Sequence, residues 1–142
     1  MEPATSERRA PASWRGPMAA TGAVAGASAV LAVVDPARTG LFPPCPFWAV
    51  TGHWCPGCGT LRGLHELLTG DPAAAVGFNP LTMVVLPFLL GSLLAWWARS
   101  LGILRRPPSP LPTPVPWLVV ATVVVFWGLR NVPVDPLSAL AP

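Results

Sequence analysis

The chain has 142 residues, of which 52% are hydrophobic and only 11% are charged, and its mean hydropathy is +0.54. A soluble domain carries about 25% charged residues, so this composition argues against a water-soluble globule and indicates an integral membrane protein. The net charge of +3 comes from scattered arginines, which form no basic patch of the kind that binds nucleic acid. We expect one small membrane bundle with no nucleic acid partner and no separate enzyme domain.

The N-terminal part predicts a polar tail followed by one membrane helix. Residues 1–17 are polar and carry arginine, which predicts a disordered cytoplasmic tail. Residues 18–34 form an apolar run of about the minimum length for a span, and Asp35-Pro36 ends it because proline disfavours helix at the preceding residue. A cleaved signal peptide is the alternative. We expect the helix to be retained because the apolar run continues past Ala27-Ser28-Ala29 without a polar cleavage region.

Two further apolar segments predict a second and a third span. The second covers residues 80–98, with Asn79 as its N-cap and Pro80 at its first helical position. A proline-rich connector then leads to the third apolar segment. The predicted fold is all-α, a polytopic membrane protein with about three transmembrane helices. The predicted divisions are the tail 1–17, a membrane domain 18–104 with a cysteine-rich loop 35–79, the connector 105–116, and the third transmembrane segment with its C-terminal tail 117–142.

The placement of the arginines predicts the orientation of these helices, because cytoplasmic loops carry an excess of basic residues. Six arginines fall on one side of the predicted spans: Arg8, Arg9, Arg15, Arg99, Arg105 and Arg106. Three fall on the other side: Arg38, Arg62 and Arg130. High alanine content and basic residues that are all arginine are typical of a GC-rich bacterium. We therefore expect a multi-pass bacterial inner-membrane protein with a cytoplasmic N-terminus and an extracytoplasmic cysteine-rich loop.

The loop between the first two spans holds all three cysteines and both histidines. A connection of this length usually has structure or function of its own. Residues 60–69 predict a short amphipathic helix with Thr60 as its N-cap and Gly70 as its left-handed end, and Asp71 then caps a second helix. Irregular backbone is excluded from the hydrocarbon core, so we expect this helical hairpin to lie at the membrane surface.

The turn Cys55-Pro56-Gly57-Cys58-Gly59 is the sharpest local motif, and three interpretations fit it. It resembles a zinc knuckle, in which Cys45 and His65 would complete a Cys₃His site and His53 would compete with His65. It also suits a redox dithiol, because a helix start lowers the pKa of a nearby thiol. The third interpretation is a structural disulfide plus one buried cysteine.

Cys58, Arg62 and His65 recur at intervals of three and four residues, so a helix would place them on one face. Such a cluster in a membrane protein is a functional candidate. The alternative is that Arg62 and His65 form the wet side of an interfacial helix, with Arg62 extending toward lipid phosphates.

The loop and the second span carry a compound motif that resembles a bacterial integral-membrane family, domain-of-unknown-function family 2752, over roughly residues 40–100. The matching residues are Cys45-Pro46, Thr51-Gly52, Cys55-Pro56-Gly57-Cys58-Gly59, Arg62, His65, Gly70-Asp71, Ala75 and Asn79-Pro80-Leu81. The resemblance implies a membrane protein of two to four helices with the cysteine motif just before a helix. It implies no activity. The family often has threonine before the arginine, whereas Leu61 stands there in this chain and the threonine is at position 60.

These observations support three hypotheses on function. The first is a non-enzymatic accessory protein whose Cys/His/Arg motif is structural or binds a metal, with zinc as the candidate cofactor and Cys45, Cys55, Cys58 and His65 as the candidate ligands. The second is a membrane thiol–disulfide partner that uses Cys55 and Cys58. The third is a small transport component, which the lack of charges within the spans disfavours. The expected partners are the lipid bilayer and another membrane protein.

Overall fold

The structure is a computed structural model, and it describes residues 13–105 and 108–134. Within these residues every regular element is an α-helix, which confirms the predicted all-α class. The helices are α1 (Arg15–Val33), α2 (Pro46–Thr51), α3 (Thr60–Thr69), α4 (Pro72–Phe78), α5 (Pro80–Ser100) and α6 (Pro114–Arg130).

Two helices, α1 and α5, are long and apolar enough to cross a membrane. No residue of α5 is buried against the rest of the described chain, so its valine and leucine side chains are free to face lipid. The third apolar helix, α6, is shorter at 17 residues. The predicted second and third apolar segments therefore form helices, and α5 runs without interruption through Pro87.

The first helix begins earlier than predicted. It starts at Arg15, three residues before the predicted first residue Met18. Pro17 fits there because the N–H groups of the first helical turn have no partner within the helix. The prediction of a disordered tail is therefore wrong for residues 15–17, and residues 1–12 lie outside the described part of the chain.

The N-terminal half of α1 lies against the C-terminal end of α5. The indole N–H of Trp97 donates to the hydroxyl of Thr21 at 2.8 Å. Gly16 packs so closely on Trp96 that a Cβ atom there would lie 2.6 Å from the ring. Trp96 and Trp97 thus join the two long helices.

The short helices α3 and α4 pack tightly on each other. Gly63 is buried, and a Cβ atom at that position would lie 3.0 Å from the carbonyl oxygen of Ala75. Gly70 ends α3 with a φ of 100°, and the Asp71 carboxylate accepts the N–H of Ala74 and caps α4. Both caps agree with the sequence prediction.

The predicted N-cap of α3 is wrong by one residue. Gly59 caps the helix in the left-handed conformation, with a φ of 81° that glycine adopts without a steric cost. Thr60 lies in the first turn instead, and its hydroxyl contacts the hydroxyl of Thr82 at the start of α5, with 2.8 Å between the oxygens.

Two helix ends contact the cysteine turn or the residue before it, and a third packs on helix α3, which follows the turn. His65 of α3 contacts the carbonyl of Leu31 near the end of α1, and Asn79 at the start of α5 contacts the carbonyls of the cysteine turn. Asn131, just after α6, bonds to both the N–H and the carbonyl of Trp54. The end of α1, the start of α5 and the end of α6 therefore lie at one end of the molecule.

Candidate metal centre

The three cysteine sulphurs form a compact cluster at this end of the molecule. The Sγ atoms of Cys45 and Cys55 are 3.4 Å apart, and those of Cys55 and Cys58 are 2.9 Å apart. All three sulphurs lie within 4.8 Å of one another, and all three thiols are free. The structure thus brings together three of the four ligands predicted from the sequence.

The fourth predicted ligand, His65, does not join the cluster. Its Nδ1–H donates to the carbonyl oxygen of Leu31, which turns the ring toward α1. His53, the competing histidine, donates from Nδ1 to the carbonyl oxygen of Thr51 at 2.8 Å. The predicted Cys₃His set is therefore reduced to three thiols among the described residues, because α3 packs on α1 through the face that carries His65.

Backbone geometry presents Cys55 and Cys58 on a tight turn. The N–H of Cys58 donates to the carbonyl of Cys55 at 3.1 Å, and the N–H of Cys55 donates to the sulphur of Cys58 at 3.3 Å. Cys45 reaches the same place from the N-cap position of α2, with Pro46 at the first helical position. An N–H donor directed at sulphur favours a thiolate, which is the form that binds metal.

The side-chain amide of Asn79 fixes this turn to the start of α5. Asn79 is fully buried. Its Nδ2 donates to the carbonyls of Pro56 and Cys58 at 3.0 and 3.1 Å, and its Oδ1 accepts the N–H of Thr82. The predicted cap of α5 therefore has a second role, in holding the cysteine turn.

A buried arginine, which the sequence analysis counted only among the charges flanking the spans, lies within electrostatic range of the cluster. Arg130 is 1% exposed, donates from one terminal nitrogen to the carbonyl of Phe78 at 3.1 Å, and stacks over Phe126. Its Nε and its other terminal nitrogen have no hydrogen-bond partner among the described residues. Its charge is near enough to interact with thiolates at Cys58 and Cys55.

The environments of the three thiols differ. Burial, followed by the neighbouring Cys55 and Cys45 thiols, raises the pKa of Cys58 from about 9 to about 12. The pKa of Cys45 is lowered, chiefly by the nearby backbone N–H of Trp48 in α2. The Cys45 side chain does not form a cap hydrogen bond with α2. The Cys45 thiol therefore ionises more readily than the Cys58 thiol.

An open pocket of about 390 Å³ borders the cluster, and all three cysteines line it. Phe42, Trp48 and Trp54 form part of its wall, and Arg62 lines it as well. Cys58 and Arg62 therefore share this side of the turn as predicted, whereas His65 faces α1. Of the other motif residues, Asp71 is the N-cap of α4 and Pro80 is the first residue of α5.

Residues 45–93 match the family model described as Protein of unknown function (DUF2752). This confirms the resemblance seen in the sequence. The matching part, called the DUF2752 segment below, contains the three cysteines, the α3–α4 pair, Asn79 and the first two thirds of α5. No curated protein and no solved structure matches the chain. Arg130 lies outside the DUF2752 segment, so the motif could not have pointed to it.

Replacing Asn79 by alanine should destabilise the fold by about 2–4 kcal/mol, because two buried carbonyls of the cysteine turn would lose their donor. The matched control is Asp71→Ala, which removes an N-cap from an exposed position and should cost about 1 kcal/mol. The free energy of unfolding in detergent micelles measures both. Equal losses in the two variants would contradict the role of Asn79 in holding the turn.

The metal-free protein should show a fixed order of thiol alkylation. At pH 8 iodoacetamide should modify Cys45 well before Cys58, because Cys58 is 7% exposed and remains protonated. Folding raises the Cys58 pKa, so its contribution to stability is complete below about pH 9 and is lost as the pH rises toward 12. Peptide mass spectrometry after timed alkylation measures the order, and equal rates at the two cysteines would refute it.

Proposed function

We propose that this chain is a small, non-enzymatic accessory protein of the bacterial inner membrane that binds one zinc ion through Cys45, Cys55 and Cys58. The observation that carries the proposal is the convergence of three free thiols within 4.8 Å. A disulfide joins only two sulphurs. A third thiol in contact with the pair is what a thiolate metal site requires.

The spacing of the sulphurs supports a tetrahedral ion. A Zn–S bond is about 2.3 Å long, so two thiolates on one tetrahedral zinc are about 3.8 Å apart. Two of the sulphur–sulphur distances, 3.4 and 2.9 Å, are shorter than this tetrahedral separation, and the third is at most 4.8 Å. Side-chain rotations that move each sulphur by less than about 1 Å would accommodate the ion. Thiolates also select zinc and monovalent copper over magnesium and calcium.

The charge balance favours a divalent ion. Three thiolates and one Zn²⁺ carry a net charge of −1, and a buried charge is costly unless another charge compensates it. Arg130 supplies +1 from a buried position near Cys55 and Cys58, and two of its nitrogens lack partners. Zinc at the three thiolates with Arg130 beside them gives a neutral centre, whereas monovalent copper would leave a net negative charge.

Helix directions support three spans with the cysteine-rich loop at the membrane surface. The ends of α1 and α6 and the start of α5 lie near the cysteine turn, while the end of α5 packs on the start of α1 at the opposite end. The chain after α5 therefore returns to the cysteine turn by the end of α6. At 17 residues α6 reaches the lower limit for a span. Arginine placement favours an extracytoplasmic loop.

Purified protein should bind one Zn²⁺ per chain. Cys45→Ser, Cys55→Ser and Cys58→Ser should each lower the zinc affinity strongly, whereas His65→Ala should retain it, since His65 faces α1. Arg130→Gln should weaken binding roughly tenfold, about 1.4 kcal/mol, and Arg130→Lys should restore part of the loss. Competition with a chromophoric chelator measures the affinities. Metal-free protein with a Cys55–Cys58 disulfide would contradict zinc binding and favour the thiol–disulfide hypothesis.

The C-terminus should lie on the same side of the membrane as the cysteine-rich loop. A phosphatase fused to the C-terminus should be active, because that enzyme folds only outside the cytoplasm, and one fused after Gly102 should be inactive. A cytoplasmic fluorescent reporter at the same two positions should give the reverse pattern. The same result at both positions would show that α6 does not cross the membrane.

A further inference from the structure

The pocket beside the cysteine cluster has an unusual combination of walls. Its lining includes all three cysteines, the aromatic residues Phe42, Trp48 and Trp54, and Arg62. Trp48 and Trp54 are stacked, with 5.7 Å between their ring centroids. The three cysteines therefore share an open pocket with aromatic residues and one arginine.

A metal held by three thiolates leaves one of its four tetrahedral positions for another ligand. In the part of the chain that the structure describes, no histidine, aspartate or glutamate joins the three cysteines. All three cysteines line the pocket, so we place the remaining position on the side of the pocket. This is the arrangement of a zinc site that exchanges its fourth ligand, whereas a purely structural site has four protein ligands.

Arg62 supplies a charge at the same pocket. The single ion pair among the described residues joins Arg38 to Asp35, so the guanidinium of Arg62 has no acidic partner there. An unpaired arginine at the wall of an apolar pocket favours a ligand that carries a carboxylate or another anionic group.

We propose that the pocket binds a small organic thiol that carries an acidic group, with its sulphur as the fourth ligand of the metal. The inference rests on the proposed function, since it needs the metal at the three cysteines. The incoming thiol loses its proton to solvent, its thiolate forms a metal–sulphur bond, and the water molecule held at that position leaves. The apolar body of the ligand lies against Trp48 and Trp54, and its acidic group pairs with Arg62.

Cobalt substitution tests the two proposals separately. Full-length protein in detergent, loaded with Co²⁺, should show sulphur-to-cobalt charge-transfer bands and the visible bands of a tetrahedral ion. These bands report the three-cysteine centre before any ligand is added. If they do not form, both the metal centre and the ligand site are refuted.

Titration with two small thiols of opposite charge then tests the ligand site. The anionic 3-mercaptopropionate should shift the visible bands and strengthen the charge-transfer band, because one more thiolate binds the cobalt. The cationic 2-mercaptoethylamine should bind more weakly. If neither thiol changes the spectrum of the loaded protein, the fourth position is closed and the inference fails while the metal centre stands.

Arg62→Gln tests the charge preference. It should weaken 3-mercaptopropionate binding about fivefold and should not weaken 2-mercaptoethylamine binding, because the cationic thiol gains nothing from the arginine. The matched control is Arg38→Gln, at an arginine with 88% side-chain exposure that does not line the pocket, and its titrations should equal those of the wild type. Cobalt bands of normal intensity before titration show that each variant is folded. Equal affinity of Arg62→Gln and wild type for the anionic thiol would refute the role assigned to Arg62.

Discussion

The buried amide of Asn79 connects the two parts on which this structure depends, a membrane helix and a cysteine turn. Its oxygen caps α5, and its nitrogen donates to two carbonyls of the turn. A buried carbonyl without a donor costs about 1–3 kcal/mol. Losing both hydrogen bonds from Asn79 would therefore cost a large part of the free energy of unfolding of a small domain. The positions of Cys55 and Cys58, and therefore of the whole cluster, follow from this attachment.

A second buried polar group, Arg130, lies within electrostatic range of the site. Arg130 is the last residue of α6. It contacts the carbonyl of Phe78, which is more than fifty residues earlier in the sequence. An arginine buried with two nitrogens unpartnered costs free energy unless an anion lies nearby. In the proposed metal centre, ionised thiols provide that anion. Under that proposal, three thiolates and a divalent ion leave one negative charge, which Arg130 would neutralise.

Local signals in the sequence were sufficient for much of the fold. Asn79-Pro80, Gly70 and Asp71 each act within one helical turn, so the helix boundaries they predict agree with the structure. The N-cap of α3 was predicted one residue too late, because either Gly59 or Thr60 can occupy the cap position. The contact of Thr60 with Thr82 on another helix decides between them. The all-α class follows from composition and apolar run length alone.

The site could be predicted only in part, because helical periodicity gives the spacing of side chains and not the rotation of a helix against its neighbours. The motif correctly predicted that Cys45, Cys55 and Cys58 lie close together. The direction of His65 depends on the packing of α3 against α1, and the burial of Arg130 depends on where α6 ends. An arginine after an apolar run is also the ordinary mark of a membrane interface, so no signal in the sequence distinguished this one.

The central claim is that the three cysteines jointly hold a metal ion in the intact protein. X-ray absorption at the zinc edge, on wild-type protein purified from membranes without added metal or chelator, tests it most directly. We predict a first shell dominated by three sulphur atoms at about 2.3 Å. A sample without zinc, or a first shell of nitrogen and oxygen alone, would contradict the account.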